Sequence, residues 1–574
     1  MKIFKLFPLA CAALMMSACS SDDASNGGST GVNDPQYLSV NIVNVGATPS
    51  RASEEYENGT ADENKISKVR FYFFNADGTP YLIKAPEADG VTGSGTVNYL
   101  EVTPTFDAST SGAPSHVEKI TNAVLVINGV QSAAPAAIVA VVNPGTVEKS
   151  ALNNEGEMRL SQLRENAVGS KFYNKDAASG KVSDFVMSNS VFFNAGSDVC
   201  SSLVAGHVAT SADKAKANPV DLYVERVAAK VTADVDLTAF EKGDGDKWEN
   251  TKYGTKTSVG KIGAYDVYAV IDGWGLADEN GKAEVEKQVE PSWTDGILGI
   301  TPWTTYDYRR CFWEKSVAFT SGAGANRPVN HPFNEFKADM KDVLYTLPNT
   351  PDTKITNVYD NDVTKILVAA TLRYKDESNN WHTADICRYN GVEILGIDNL
   401  KKQVASTFSQ YYTSTDATNY TQLTAANITF KEPTGSVLSY QVTPTLAADP
   451  AGVTTKYYTK TASGTTSTSF TEVDKATVLA AIEADKAEIR KDGKAYYFIP
   501  IKHLGTTGAL GEYGVVRNHY YKITLSSIKG FGTPVYNPAT EIVPTVPTYS
   551  NTYLAARVQV LQWRVVNQNV KLGE

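Results

Sequence analysis

The sequence predicts a mainly β protein built of sandwiches, with modest helix, and three observations carry that expectation. Short apolar runs of strand length recur along the chain, each punctuated by Gly, Asn, Asp or Pro. Aromatic and β-branched residues are plentiful, with 30 Tyr in 574 residues, and they favour pleated, half-buried surfaces. Only one long stretch carries the 3.6-residue period of a helix. After its leader the chain is long enough for two or three domains with real cores.

Taken in order, the first element is an export signal. Lys2 and Lys5 precede an apolar run over residues 6–16 that meets Ser17-Ala18-Cys19. That is the layout of a secretory signal peptide, too short to span a bilayer as a mature helix. A cysteine directly after a small pair resembles a bacterial lipobox, in which Cys19 is acylated and becomes the new N-terminus. Met16 departs from the pattern by standing where Leu is usual. Residues 20–33 are rich in Ser, Gly, Asn and Asp and read as a flexible tether. The acidic pair Asp22-Asp23, so near the cysteine, resembles signals that send lipoproteins to the outer face of the outer membrane. No later segment is long and apolar enough to cross a membrane as a helix.

The clearest strand signals lie at residues 37–45, 68–74, 136–142, 221–236, 264–271, 365–374, 495–501 and 518–528. Ala137-Ile138-Val139-Ala140-Val141-Val142 is continuously apolar and is closed by Asn143-Pro144-Gly145, so it should be buried on both faces. Residues 473–489 place Val473, Val478, Leu479, Ile482 and Ile489 on one side, which predicts a helix packed on a sheet. A polar stretch at 241–260 is the best domain boundary. Pro534, Pro538, Pro544 and Pro547 make residues 532–549 an extended, stiff spacer before a strand-like tail.

The composition excludes several functions. A net charge of −10 without a basic stretch argues against nucleic acid as a partner. Cys200, Cys311 and Cys387 are an odd, widely spaced set that suits neither a zinc site nor a disulfide framework. One bridge or three buried thiols both remain open. Histidines 116, 207, 331, 382, 503 and 519 lie far apart, and there is no nucleophile elbow, phosphate loop or dinucleotide fingerprint. Gly243-Asp244-Gly245-Asp246 and Asp360-Asn361-Asp362 lack the distal Glu of a calcium loop and read as turns. Trp274, Trp293, Trp303 and Trp313 fall within forty residues, where core packing is the commoner use of aromatics and a carbohydrate platform the rarer one. No catalytic residue, metal ligand or cofactor is expected.

Four segments are more specific. Val224-Glu225-Arg226-Val227-Ala228-Ala229-Lys230-Val231 and Tyr345-Thr346-Leu347-Pro348-Asn349-Thr350 are the first two. Val515-Val516-Arg517-Asn518-His519-Tyr520-Tyr521-Lys522-Ile523 follows, running on to Ser527-Ile528-Lys529-Gly530-Phe531-Gly532, and Val558-Gln559-Val560-Leu561-Gln562-Trp563 closes the set. In this order, behind a lipobox, they resemble the fimbrilin family that builds type V pili, especially its short-fimbria branch, and the resemblance covers most of the mature chain. It implies two β-sandwich domains of transthyretin-like or Greek-key type with a few helices, an excisable N-terminal strand and an extended C-terminal donor strand. It also implies lipoprotein export, cleavage by an Arg-specific protease and polymerisation by strand donation. Partners would be identical neighbouring subunits, anchor and tip subunits, the protease, and the outer membrane through the precursor's lipid. The protein would end in a cell-surface fimbrium that supports adhesion.

The implied divisions are a signal peptide at 1–18, a propeptide at 19–51, domains at 52–240 and 241–546, and a donor tail at 547–574. Arg51 is the first arginine of the chain and lies in a small, polar segment where proteolytic nicking is easiest, so cleavage is expected between Arg51 and Ala52. The strand so removed would carry Leu38, Val40, Ile42, Val43 and Val45. Its pattern from Val40 to Val45 matches that from Val558 to Trp563: apolar, polar, apolar, apolar, polar, apolar. Both switch parity at adjacent apolar residues, as at a bulge or a crossing between sheets, so both suit one groove. Burying Val558, Val560, Leu561, Trp563 and Val565 at about 1.5–3 kcal/mol each yields roughly 10 kcal/mol gross. An accessory or tip adhesin of the same pilus, which needs no donor tail, and a monomeric glycan-binding surface lipoprotein using the tryptophans are the alternatives.

Overall fold

The computed structural model describes residues 36–45, 56–57, 59–85, 95–103, 105–106, 117–127, 129–130, 133–145, 157–165, 167–169, 171–194, 197–289, 313–319, 326–357, 362–432, 440–463, 467–503, 507–545, 553–561 and 563–565. Strands dominate, as the alternating and continuous apolar runs require. From the N-terminus come β1 (Gln36–Val45), the two-residue β2 (Tyr56–Glu57), β3 (Val69–Phe74), β4 (Val117–Ile127), β5 (Ala137–Val142), β6 (Met187–Asn189) and β7 (Val220–Arg226). All but β2 join one nine-stranded sheet. Its order is Tyr99–Val102, β3, β5, β6, β7, β1, β4, Thr105–Phe106, with Ser202–Leu203 on β5. β5, the continuously apolar run, is buried at every residue. Phe71, Phe73, Ile138, Leu222 and Val224 belong to the core of this first unit.

The second unit follows with β8 (Ala229–Val235), β9 (Tyr265–Ala277), β10 (Val343–Thr346), β11 (Lys365–Lys375), helices α1 (Ile397–Thr407) and α2 (Lys475–Glu483), β12 (Lys494–Pro500), β13 (His519–Lys529), β14 (Tyr553–Leu561) and β15 (Trp563–Val565). One layer has the order β2, β15, β13, β8, β10, with β14 also on β13. The other has the order Phe240–Lys242, Tyr253–Thr255, β9, β11, β12, Thr533–Pro534. Alternate residues fill the space between them: Val231, Ala233 and Val235 of β8 and Tyr521, Ile523 and Leu525 of β13 share a core with Ile366, Val368, Ala370 and Leu372 of β11. That spacing of two is the mark of a sandwich. β9 bends at a register shift between Ile271 and Gly273, where a Cβ on Gly273 would lie 2.4 Å from the Phe336 carbonyl oxygen. A separate core inside this unit gathers α1, α2 and the strands Ile386–Tyr389 and Glu488–Arg490.

Three local differences from the sequence expectation have physical causes. The run 221–236 is two strands: β7 ends in the first sheet, Val227-Ala228 breaks the ladder, and β8 begins in the second. The chain therefore passes between units there, and residues 241–260 hold strands of the second unit. The expected helix over 473–489 is only α2, because Asp474 ends a strand and caps the helix through Ala476 N–H, while Ile489 sits in a strand. α1 is an unexpected helix, because its buried apolar stripe is only Leu400, Val404 and Ala405 on an otherwise polar segment.

Candidate assembly site

Three of the four quoted motifs converge on the junction between the units, and their charged residues explain why. Charged side chains inside strands are costly to bury unless paired. Glu225, Arg226 and Lys230 sit at the β7–β8 crossing, each at most 5% exposed. Glu225 pairs with Lys287 at 3.0 Å, and Lys230 pairs with Glu63 at 2.8 Å. Arg226 donates to the Glu63 carbonyl at 3.1 Å and to Asn518 Oδ1 at 3.0 Å, and it also meets Asn64. Tyr345 donates its hydroxyl to Glu63. Arg517 reaches Glu314 through Nε at 2.7 Å, and donates to the Val285 carbonyl at 3.0 Å and the Glu284 carbonyl at 2.9 Å.

The electrostatics follow from this packing. Burial pushes the Glu63 carboxyl up, but Lys230 and the hydrogen bonds outweigh it and leave it below the usual range. Burial, with Glu63 beside it, raises the Tyr345 hydroxyl far above its ordinary value. Burial likewise pushes Glu284 up to about 7 and Glu286 well above the carboxylate range, although Arg517 pulls both the other way. These groups cross-brace the units. In the sequence Glu225, Arg226, Lys230 and Arg517 stand out only as parts of a pattern, and the signal for their role is charge within apolar strand runs. Nothing in the sequence pointed to Glu63, Lys287 or Glu314.

The second feature is β1. It lies inside the first sheet, antiparallel to β4 from Gln36 opposite Ile127 to Val45 opposite Val117, and parallel to β7 from Val40 to Asn44. Leu38 is fully buried opposite Leu125, itself 1% exposed. Of the side chains assigned to the excised strand, those of Val40, Ile42, Val43 and Val45 lie outside the described set, though their backbone pairing is described. The ladder runs unbroken through Ile42 and Val43, and the register shifts between Asn44 and Val45 instead. A strand whose sheet is covered on both faces takes adjacent apolar residues without the expected slip.

The third feature is the tail. Where the sequence suggests a segment beyond its own domain, β14 is zipped antiparallel along β13, from Tyr520 opposite Leu561 to Lys529 opposite Tyr553. Among the described residues β14 has no strand on its other side, so it is an edge. Val558, Val560 and Leu561 lie in β14, and Trp563 and Val565 in β15; their side chains lie outside the described set. β15 pairs with β2, Glu57 opposite Trp563 and Tyr56 opposite Arg564, and Arg564 also meets His519. Cys19, Arg51 and Ala52 lie outside the described residues.

A family model described as "Major fimbrial subunit protein (FimA)" matches residues 36–222, from the start of β1 into β7. A second, "Major fimbrial subunit protein type IV, Fimbrillin, C-terminal", matches residues 490–569 and takes in β12 to β15. Over these two stretches the chain is similar to the fimbrilin family. Both matched models describe major fimbrial subunits.

No curated protein matches this chain. Among solved structures it is similar to a fimbrilin from Porphyromonas gingivalis, at 11% identity and a TM-score of 0.32, over 92% of this chain and 99% of that one. It is also similar to the tip fimbrial protein Mfa3 of the same organism, at 8% identity and a TM-score of 0.27, over 92% and 100%. A fimbrial assembly protein from Parabacteroides distasonis matches at 10% identity and a TM-score of 0.26, over 58% and 81%.

The residues weighed for chemistry find structural places in this chain. Trp274 and Trp313 are buried and present no open face, while Trp293 and Trp303 lie outside the described residues. Cys200 and Cys387 are buried free thiols, each pushed up to about 12 by burial, and Cys311 lies outside the described residues. Asp244 accepts from the Asp246 and Lys247 amides and so closes a turn, while Asp360 and Asn361 fall outside the described residues. His503 and His519 are buried side by side, with ring centroids 5.2 Å apart, and His503 meets the Tyr521 hydroxyl at 2.9 Å. His116 is outside the described residues. Among the described residues no group of His, Cys, Asp and Glu is arranged to hold a metal ion.

Proposed function

We propose that this chain is the shaft subunit of a fimbrium of the short-fimbria type. It is exported as a lipoprotein acylated at Cys19, cut between Arg51 and Ala52, and polymerised by passing its tail into a neighbour. The observation that carries the reading is the contrast between the two ends. β1 lies inside a sheet, upstream of Arg51, so its loss would open a groove lined by unpaired backbone of β4 and β7. A groove of that kind templates another strand. The tail sits at an edge, behind the Pro-rich spacer, held along one side. Head-to-tail donation that does not close on itself gives a filament.

The test is to treat the purified protein with an Arg-specific protease and follow it by negative-stain microscopy and N-terminal sequencing. Filaments whose subunits begin at Ala52 are expected, and Arg51→Ala should stay monomeric. Filaments formed equally well by Arg51→Ala would overturn the reading.

A further inference from the structure

We infer that Tyr56-Glu57 is a latch that keeps the tail seated on its own subunit until the chain is cut, so that one cleavage both vacates the β1 slot and releases the donor. The inference rests on the shaft reading and adds its regulation.

β2 is the only pairing, among the described residues, that joins the first residues after Arg51 to the tail. Tyr56 lies opposite Arg564 and Glu57 opposite Trp563, in the same layer as β13. Beyond β2 the chain is pinned a few residues on: Glu63 is 1% exposed and is held by Lys230, Tyr345 and its own turn with Thr60. On the other side of β2 the uncut chain leads to β1, which is bonded to two strands. So in the uncut chain β2 is strung between two fixed points. Ordering a short segment held at both ends costs less conformational entropy than ordering one at a free end.

A cut after Arg51 removes one of those points. Tyr56 becomes the fifth residue of the new chain, and chain ends fray unless something ties them down. β15 then keeps only its single bridge to His519 of β13, and the rest of the tail is β14, an edge strand bonded only to β13 among the described residues. A pairing of one or two backbone hydrogen bonds is worth roughly a tenfold change in the population of the released tail. Cleavage therefore does more than free a peptide: the slot and the strand become available together, and uncut subunits are discouraged from donating to cut ones.

Hydrogen exchange on the full chain reads this directly. In an Arg51→Ala background, which stays uncut, Glu57→Pro removes a backbone N–H from β2 and disfavours its pairing with β15. The amides of residues 553–565 should then exchange roughly tenfold faster, while those of 36–45 keep their protection. Unchanged exchange in 553–565 would overturn the latch. Should the proline variant fail to fold, the pair Tyr56→Cys with Arg564→Cys tests the same contact from the closed side, since directly opposed strand positions suit a disulfide. With Arg51 kept and the chain cut under oxidising conditions, that chain should keep its tail as protected as uncut protein and lose the protection on reduction. A cut, oxidised chain whose tail exchanges as fast as that of cut wild type would also overturn the latch. A wild-type chain that is cut yet never forms filaments would instead refute the shaft reading, because the exchange measurement on the uncut chain is independent of polymerisation.

Discussion

Replacing Arg517 by Met tests the junction most severely. Arg517 is 1% exposed and makes four contacts: Nε and Nη2 to the Glu314 carboxylate, and Nη1 and Nη2 to the Val285 and Glu284 carbonyls. Met keeps the length and apolar stem but removes every side-chain donor. It strands the Glu314 carboxylate, 1% exposed, without its cation, and leaves two carbonyls short of a partner. Removing one member of a buried ion pair costs about 3–5 kcal/mol, because the other charge stays desolvated. At about 2–4 °C per kcal/mol for a unit of this size, the melting temperature should fall by roughly ten degrees. Thermal unfolding by circular dichroism measures it, with limited proteolysis at residues 226–229 reporting whether the units separate. The paired change Arg517→Met with Glu314→Gln removes both charges and should recover most of the loss. A single variant that loses less than about 1 kcal/mol, or a double variant no better than the single, would refute the claim that this pair braces the junction.

Two further outcomes follow. Val560→Asp should abolish filament formation after cleavage, because an unpaired charge on the apolar positions of the tail costs several kcal/mol when buried in a neighbour; Gln559→Asp, on the polar positions, should leave filaments countable by microscopy at near wild-type numbers. Burial holds Glu284 at about 7 against an ordinary 4.5, so its contribution to stability is fully present below about 4.5 and is lost as pH rises through 7. Melting temperatures at pH 5 and pH 8 should therefore differ, and Glu284→Gln should remove a slope worth about 1 kcal/mol, a figure reduced for its partial exposure.

How much of this was legible depended on whether a feature is local. The eight strand signals all fall on strands, because alternation and continuous apolar runs are written in neighbouring residues. The break at Val227-Ala228 was invisible, since Glu225, Arg226 and Lys230 look like ordinary alternation until Lys287, Asn518 and Glu63 arrive from elsewhere in the chain. α1 was missed because Ser, Thr and Asn dilute its stripe. For the assembly site, the two matching six-residue patterns were legible, and so was the order of the motifs. The seat of the tail on β13 was not, because pairing along an edge depends on which strand lies nearby, not on anything in the tail's own pattern.

On the proposed strand donation, the different seats of β1 and the tail also give the exchange a direction. β1 is bonded along both sides, to β4 and β7, whereas β14 is bonded along one. A tail that moves from the edge into a vacated slot gains a second ladder, and the slot regains the strand it lost, so exchange is downhill once β1 is gone. While β1 remains covalently attached, it competes at an effective concentration of about millimolar and no free tail can displace it. The proposed cleavage would turn that intramolecular competitor into a dissociable peptide, and only then would the extra ladder decide the outcome. The consequence is measurable with a synthetic peptide of residues 36–45. Added in about tenfold excess to freshly cut subunits, it should reoccupy the slot and slow filament growth severalfold, without lowering the melting temperature, while a scrambled peptide of the same composition should do neither. Growth that is indifferent to the peptide, yet still abolished by Val560→Asp, would mean that the tail enters some groove other than the one β1 leaves.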